Sequence, residues 1–483
     1  YKTSTTITGF EGSNLNYDNL YHISNAKIVS PTNYLGRKEV QSAFFSGELA
    51  YNNYLFLNVT GRNDWSSALG QPSFFYPSVS ISNVLTDLLQ VNSNILSYAK
   101  LRLSYAQAGN DGAIYQTKTG YSILPIASGF GGQQFAAINQ TLTNSNLKNE
   151  LKTSYEFGAD IRLFSNRIGI DFTYYDAATT NQIIPIPISA SSGFTTQVIN
   201  AGNIKNSGVE IFLNAIPVQL TNSFRWSATL NFSKNKSKVI ELTEGITNLV
   251  LLSSAGISIE ARPGDAFGNI VGFPYKLSPD GRKVVDEGAY SRGAARQALG
   301  NIQPDWLAGL TNTFYFKGFS LSALVDVRKG GQVYSMTKYD QTASGTGKFT
   351  EDRDHLVANG VVWDESANKY VENTEPTFGQ NYYAYRAWLQ IHEDFVTDAT
   401  YVALRQAILS YDFNASALKK TPFKTASLSV VGRNLLYFYR DPIFRLMDVS
   451  PEAAFAPTAA AQGYEAFTMP ATRSIGINLS LGF

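Results

Sequence analysis

The amino-acid sequence predicts an all-β fold: a transmembrane antiparallel β-barrel with long extracellular loops. Three observations carry that expectation. Many short segments alternate apolar and polar residues with period two. Short turns alternate with much longer connections. The composition is rich in aromatic residues and poor in charge. Aromatics are 13% of the 483 residues and charged residues 16%, against roughly 25% charged in typical soluble domains. Tyr 28 and Phe 30 far exceed Met 3, a mix that suits a pleated surface.

A bilayer admits only helices and closed barrels, because unpaired backbone groups cost too much in lipid. No run of about 18–20 apolar residues occurs, so no transmembrane helix is predicted. The mean hydropathy of −0.13 is what alternating strands give, since apolar-out and polar-in residues average out. The chain starts on Tyr1 and shows no basic or apolar leader pattern, so it is expected to begin after any signal peptide.

The strands are read in chain order. Leu55, Leu57 and Val59 oppose Asn58 and Thr60, just after an expected turn at Asn52–Asn53. A turn or two of helix is expected over Val84 to Gln90. Leu101, Leu103 and Tyr105 oppose Lys100, Arg102 and Ser104. Tyr155, Phe157, Ala159, Ile161 and Leu163 oppose Glu156, Asp160 and Arg162. After the turn Ser165-Asn166-Arg167, Ile168, Ile170, Phe172 and Tyr174 oppose Gly169, Asp171 and Thr173, which predicts a hairpin. Trp226, Ala228, Leu230 and Phe232 oppose Ser227, Thr229, Asn231 and Ser233. Phe319, Leu321, Ala323, Val325 and Val327 oppose Ser320, Ser322 and Asp326. Last, Ile475, Ile477, Leu479, Leu481 and Phe483 lie on one face, with small polar residues on the other. That strand is expected to close the barrel. About fourteen strands are expected, in one continuous architecture over residues 1–483. Residues 110–150, 237–305 and 333–398 are the long connections; loops beyond about 15 residues are rare in compact soluble domains.

The same residues exclude several functions. A net charge of +1 is no magnet for nucleic acid. With Cys 0, thiol catalysis and disulfides are ruled out. The three His residues are His22, His355 and His392. His355 sits in Glu351-Asp352-Arg353-Asp354-His355, which lacks helical metal-ligand spacing and is read as a solvated loop. Gly129-Phe130-Gly131-Gly132 lacks the Lys-Ser/Thr of a phosphate loop and is read as an external loop. No metal, cofactor or catalytic residue is expected, and the chain is not read as an enzyme. Trp363, Tyr370, Tyr382, Tyr383, Tyr385 and Trp388 cluster in the connections. Such rings stack on substrates or partners, or simply pack the loop and line the membrane interface.

Several motifs, in order, resemble the SusC/RagA-like branch of the TonB-dependent outer-membrane transporters of Bacteroidota. Gly61-Arg62-Asn63-Asp64-Trp65-Ser66-Ser67 with Phe74-Phe75-Tyr76-Pro77-Ser78-Val79-Ser80 resembles that family's "R-x-D-G-S-S … F-F-P-S-V-S" hairpin. Trp65 replaces its usual Gly, and a Tyr precedes the Pro. Leu101 to Asn110 is similar to "L-R-x-S-Y-G-x-x-G-N". Asn146-Leu147-Lys148, Asn166-Arg167-Ile168 and Tyr174-Tyr175 follow "N-P-x-L-K-x-E … N-R-I … Y-Y", with Ser145 in place of the Pro. Asn200 to Glu210 resembles "N-x-G-x-x-x-N-x-G-x-E", and Gly432-Arg433-Asn434-Leu435 the late "G-x-N-L" strand. Pro470, Thr472 and Arg473 precede the last strand as expected.

The resemblance implies the C-terminal portion of a barrel of about 22 strands, integral to the bacterial outer membrane. The plug and the TonB-contacting segment are not recognisable here. Open sheet edges are not tolerated in lipid, so the remaining strands are expected elsewhere. The implied function is TonB-dependent uptake of large nutrients, oligosaccharides or oligopeptides, with a SusD-like surface lipoprotein. The alternative is a SusC-like barrel serving as a structural or assembly subunit of a larger complex. Implied partners also include TonB, outer-membrane lipids and lipopolysaccharide, and the barrel-assembly machinery. Asp160, Arg162, Asp171 and Glu210 would line the lumen. The strand ending on Phe483 would be the assembly signal.

Overall fold

The computed structural model describes residues 1–123, 135–220, 224–243, 245–455 and 462–483. The Gly129–Gly132 run lies outside them. Fourteen strands follow one another in chain order through one sheet, and a short Thr141–Leu142 segment pairs alongside. They are β1 (Lys2–Leu15), β2 (Ala26–Tyr51), β3 (Leu55–Ser66), β4 (Ser73–Val84), β5 (Leu96–Asn110), β6 (Glu150–Leu163) and β7 (Ile168–Pro187), then β8 (Thr196–Gln219), β9 (Phe224–Glu241), β10 (Trp306–Phe316), β11 (Phe319–Lys329), β12 (Tyr401–Asp412), β13 (Thr425–Arg440) and β14 (Ser474–Gly482). No helix is long and apolar enough to cross a membrane, among the described residues. The one helix expected early is the short Leu85–Leu88.

The turns form where the sequence places them. Asn52 and Asn53 sit at φ 47° and 59°, the left-handed pair that a tight hairpin requires and that Asn tolerates. Phe164, Ser165 and Asn166 are all left-handed in the turn between β6 and β7. By contrast, 242–305 separates β9 from β10, 330–400 separates β11 from β12, and 441–473 separates β13 from β14. The last of these was not singled out from sequence.

The chain divides into two compact units. The first comprises Tyr1–Ser82, Leu103–Glu156 and Ala177–Lys205. Here β2 pairs antiparallel with β1 and with β3, Val40 opposite Ser66 through Tyr51 opposite Leu55. A small core of Leu69, Phe74, Leu147 and Val198 is buried, and Leu147 is the motif residue that anchors it. Asn200 clamps the same segment: its Oδ1 accepts from Lys148 N at 2.8 Å, and its Nδ2 donates to Lys148 O at 2.8 Å and Asn181 O at 2.9 Å. In the early hairpin, Arg62 Nε donates to Asp64 Oδ1 at 2.7 Å, and the extra Tyr76 donates its hydroxyl to the other carboxylate oxygen.

The second unit comprises Asn83–Arg102, Phe157–Asp176 and Asn206–Phe483. Its ladder runs β9–β10–β11–β12–β13–β14, all antiparallel. On β13 and β14, Ala426, Leu428, Val430 and Gly432 face Leu481, Leu479, Ile477 and Ile475, so one face of this ladder is apolar. Gly208, a motif glycine on β8, leaves no room for a side chain: a Cβ there would lie 2.6 Å from the Tyr175 hydroxyl.

The core of this unit lies in the connections. Strands Leu249–Ser254, Ile257–Ala261, Asn269–Gly272 and Gln297–Asn301 form a separate four-stranded sheet. Ile257, Ile259, Ile270, Ile302, Tyr334, Ala387 and Phe395 form its buried cluster. A second cluster joins Val333 and Ala399 to Phe444, Met447, Val449 and Ala454 of 441–473.

Candidate functional site

On the second unit, the polar faces of several strands meet a loop residue pair around one cavity of about 580 Å³. Asp171 and Thr173 come from β7, Glu210 and Phe212 from β8, and Asn231 and Ser233 from β9. Asp326 and Arg328 come from β11, Tyr401 from β12, and Glu452 and Phe455 from 441–473. Strands 196–219, 224–241 and 306–316 each line it with three consecutive residues, Glu210–Phe212, Asn231–Ser233 and Leu307–Gly309.

The charges in this wall are largely satisfied. Arg102 binds Asp171 with both prongs, at 2.9 and 2.5 Å, and also donates to Thr173 Oγ1 at 2.8 Å. Arg405 bridges Asp326 at 2.9 Å and Glu452 at 2.7 Å. Tyr401 donates to Asp326 at 3.0 Å and Tyr437 to Glu452 at 2.6 Å. Arg405 reaches both because the β11–β12 and β12–β13 registers slip at this residue; bulges re-aim side chains in this way. Arg328 donates to Ile302 O at 2.8 Å and stacks 3.6 Å from the Phe455 ring centroid. Glu210 has no ion-pair partner among the described residues.

Of the four residues expected to line a lumen, Asp171 and Glu210 share this cavity. Asp160 and Arg162 do not. They form an ion pair along β6 at 3.2 Å, with Arg162 lying over Tyr98. Arg405, Glu452 and Phe455 were missed. Arg405 breaks the alternation rather than following it, and Glu452 and Phe455 belong to a connection whose approach to the wall no local pattern announces.

The connection aromatics divide in two. Tyr383 is buried, and Tyr382 packs on Tyr290 and on the Arg386 guanidinium. Trp363 and Tyr370 stack edge-to-face on the hairpin Val361–Asp364 with Lys369–Glu372, and Trp363 is exposed. Tyr385 and Trp388 are exposed neighbours. A smaller cavity of about 260 Å³ is lined by Tyr383, Trp388, Arg353 and Thr350, among others.

Beneath these rings lies a buried polar network. Asp394 accepts from the Tyr275 hydroxyl at 2.6 Å and from Arg386 at 3.2 Å, while Lys338 donates to the Asp394 carbonyl. Burial pushes the Asp394 carboxyl up, but the Lys338 and Arg386 charges and the Tyr275 bond outweigh it and hold it below the usual range. His392 is fully buried. Its Nδ1 accepts from Phe273 N at 3.1 Å, and its Nε2 lies 3.2 Å from Ala255 O. That pattern fixes the neutral, Nε2-protonated ring, and burial, with Arg296 and Arg292 nearby, lowers its pKa to about 4.

The Glu351–His355 segment is exposed. Its Arg353 donates to Thr350 O and Gly345 O, not to the flanking carboxylates. His22 caps the turn Ile23–Asn25. No group of three metal-ligating side chains occurs among the described residues. On β14, Ile475 and Ile477 are exposed, as is the terminal Phe483, which packs on Phe423 at 5.1 Å.

Comparison with known proteins places this geometry in a family. Residues 2–435 match the model of the TonB dependent receptor-like β-barrel. TonB-dependent receptor P3 of Formosa agariphila is 28% identical over 461 residues, covering 89% of this chain and 44% of that protein. TonB-dependent receptor P26 of the same organism is 26% identical, covering 100% of this chain and 50% of that protein. The chain therefore spans about half the length of these relatives. Among solved structures, the RagAB peptide importer in its closed-closed state superposes with a TM-score of 0.75 at 20% identity, covering 100% of this chain and 52% of that one. At that identity the likeness shows the fold. The relatives are receptors and transporters of the outer membrane, not enzymes. The chain belongs to the TonB-dependent receptor-like β-barrel family, whose members are integral to the outer membrane.

Proposed function

We propose that this chain supplies wall and external loops to a TonB-dependent importer of large nutrients, oligosaccharides or oligopeptides. The observation that carries the reading is the cavity of about 580 Å³ on the polar face of the strands, where Asp171, Glu210, Asp326 and Tyr401 meet Glu452 and Phe455 of a folded connection. Such a wall offers hydrogen-bonding groups and ring faces to a cargo while making no bonds itself, the chemistry of a conduit. Asp160 and Arg162 extend the same polar lining toward the short-turn end.

The exposed Trp363, Tyr385 and Trp388 suit contact with a SusD-like surface lipoprotein or with cargo, since exposed aromatics are favoured anchors at interfaces. The strand ending on Phe483 suits the role of an assembly signal. The test is to purify the native, full-length protein from outer membranes in mild detergent and identify every co-purifying chain. A SusD-like lipoprotein is the expected companion. Recovery with assembly or secretion components alone would replace the importer by a structural subunit.

A further inference from the structure

We propose that the connection between β11 and β12 carries a binding site of its own for one neutral sugar ring. The site is the cavity of about 260 Å³ lined by Arg353, Gln380, Tyr383 and Trp388, among others. It shares no lining residue with the wall cavity. β11 and β12 pair with each other and with β10 and β13, so the connection leaves the ladder away from its ends.

The local sequence builds a fixed frame. The helix Met336–Ser344 stops at Gly345, left-handed at φ 68°, a conformation that glycine adopts without strain. Opposite it, the wide π turn Gln380–Ala384 runs on into the helix Tyr385–Trp388, and both pack on the first helix. Thr342 and Thr350 are buried and donate their hydroxyls to Lys338 O and Gly347 O, at 2.6 Å each. Arg353 ties the two sides together. Its Nη2 donates to Gly345 O at 2.6 Å and its Nε to Thr350 O at 3.3 Å, while its own carbonyl accepts from Gly379 N at 3.0 Å. A frame held in this way costs little to order when a ligand enters.

The groups left unbonded suit a sugar. Tyr383 is 9% exposed, and its hydroxyl has no hydrogen-bond partner among the described residues, although a buried tyrosine hydroxyl usually finds one. Burial, with Tyr382 and the Asp352 charge, pushes that hydroxyl's pKa up against the effect of Arg386, so it stays a neutral donor. Arg353 Nη1 and the Gln380 amide are likewise unbonded among the described residues. Trp388, 52% exposed, offers a ring whose negative face attracts the C–H face of a pyranose. Arg353 is the one charged residue of the described lining, so a cation meets no carboxylate there. Glu351, Asp352 and Asp354 flank it in sequence and offset its attraction for an anion. An apolar side chain would leave the free donors unpaired. An uncharged, hydroxylated ring meets all of these conditions together.

The role of the site in uptake, holding an oligosaccharide at the connections, rests on the importer function proposed above; the binding itself does not. The experiment measures saturation transfer by NMR from the full-length protein in detergent to the methyl glycosides of glucose, galactose, mannose and xylose. At least one is expected to bind in the millimolar range, as suits a single ring. Tyr383→Phe removes one unbonded oxygen and is expected to weaken that binding about threefold to tenfold. Trp388→Ala removes the exposed ring and is expected to weaken it about tenfold. Limited proteolysis checks that the connection stays folded in both variants. Methyl glucuronide is expected to bind more weakly than methyl glucoside. Absence of binding by all four glycosides overturns the proposal, as does binding that either variant leaves unchanged. Tighter binding of the glucuronide would make the ligand an acid and reject the neutral ring. If the sugar binds but no SusD-like lipoprotein co-purifies, the importer reading falls and the site stands; the reverse result rejects the site alone.

Discussion

Within Asn206–Phe483, wall and connections bury their residues in opposite ways. The wall strands keep large apolar side chains exposed: Ile477 on β14 is 77% exposed. The connections hide theirs: Tyr334, Phe395, Phe444, Ile257, Ile259, Ile270 and Ile391 are almost wholly inaccessible. A wall of this family is finished by lipid, which is as apolar as leucine, so it needs no second layer of protein. The connections stand in water, where only mutual burial stabilises a fixed shape. A barrel loop that has a hydrophobic core is a folded device rather than a tether.

The contrast breaks most visibly at Phe395, which touches Tyr334 and Tyr339 edge-on inside the connection core. Phe395→Ala is expected to cost the connections about 3–5 kcal/mol. Limited proteolysis within 330–400 should rise sharply while the barrel keeps its thermal resistance to detergent. Loss of both together would show that wall and connections unfold as one.

A smaller effect is expected at Glu465, fully buried in 441–473. Its carboxylate accepts from Ser335 Oγ at 2.5 Å, Thr337 Oγ1 at 2.7 Å and Thr468 Oγ1 at 3.0 Å. Glu465→Leu leaves those hydroxyls unsatisfied, at a cost of about 1–3 kcal/mol. Because Ser335 and Thr337 belong to a different connection, hydrogen exchange should accelerate in both 333–345 and 464–468. Acceleration in only one would mean that the bond does not tie the connections together.

The same core is expected to weaken in acid. His392 is held neutral when folded, with its pKa lowered to about 4 from an ordinary value near 6.5. A depressed histidine favours the folded form fully above about pH 6.5, and that contribution drains away as pH falls toward 4. Each unit in this window removes up to about 1.4 kcal/mol, or about tenfold in opening. Proteolysis of the connections at about pH 7.5 and about pH 5 measures it. The Asp394 carboxyl, held below its usual range, does not titrate in that window. His392→Leu should flatten the pH response, and an unaltered slope in that variant would assign it to another group.

The wall was legible in the sequence because lipid on one side and polar surroundings on the other impose a two-residue period that few substitutions can hide. The hairpin of β6 and β7 and the turn at Asn52–Asn53 follow from local residues alone. The motif residues Leu147, Asn200 and Gly208 were visible as a resemblance, and the structure gives their physical reason: an anchor, a clamp and a close approach. The connection core was not legible. Ile259, Tyr334 and Glu465 meet from three separate stretches, and no period in any one of them says so. Arg405 was hidden for a related reason: its placement depends on two register slips, a property of neighbouring strands rather than of its own.

The smallest effect is expected on the wall itself, at the Arg102–Asp171 pair. Its geometry is bidentate, at 2.9 and 2.5 Å, which would be worth a good deal in a dry interior. Both side chains are more than a third exposed, so solvent screens the attraction, and exposed pairs contribute about 0–1 kcal/mol. Asp171→Asn should therefore leave barrel stability almost unchanged. It should still alter the cavity that Asp171 shares with Glu210, because that space then loses one of its lining carboxylates. A shift in single-channel cation preference, with no change in thermal resistance to detergent, is the expected signature. If stability fell by several kcal/mol instead, the pair would be part of what holds the wall, and the division between a lipid-finished wall and self-supporting connections would have to be redrawn.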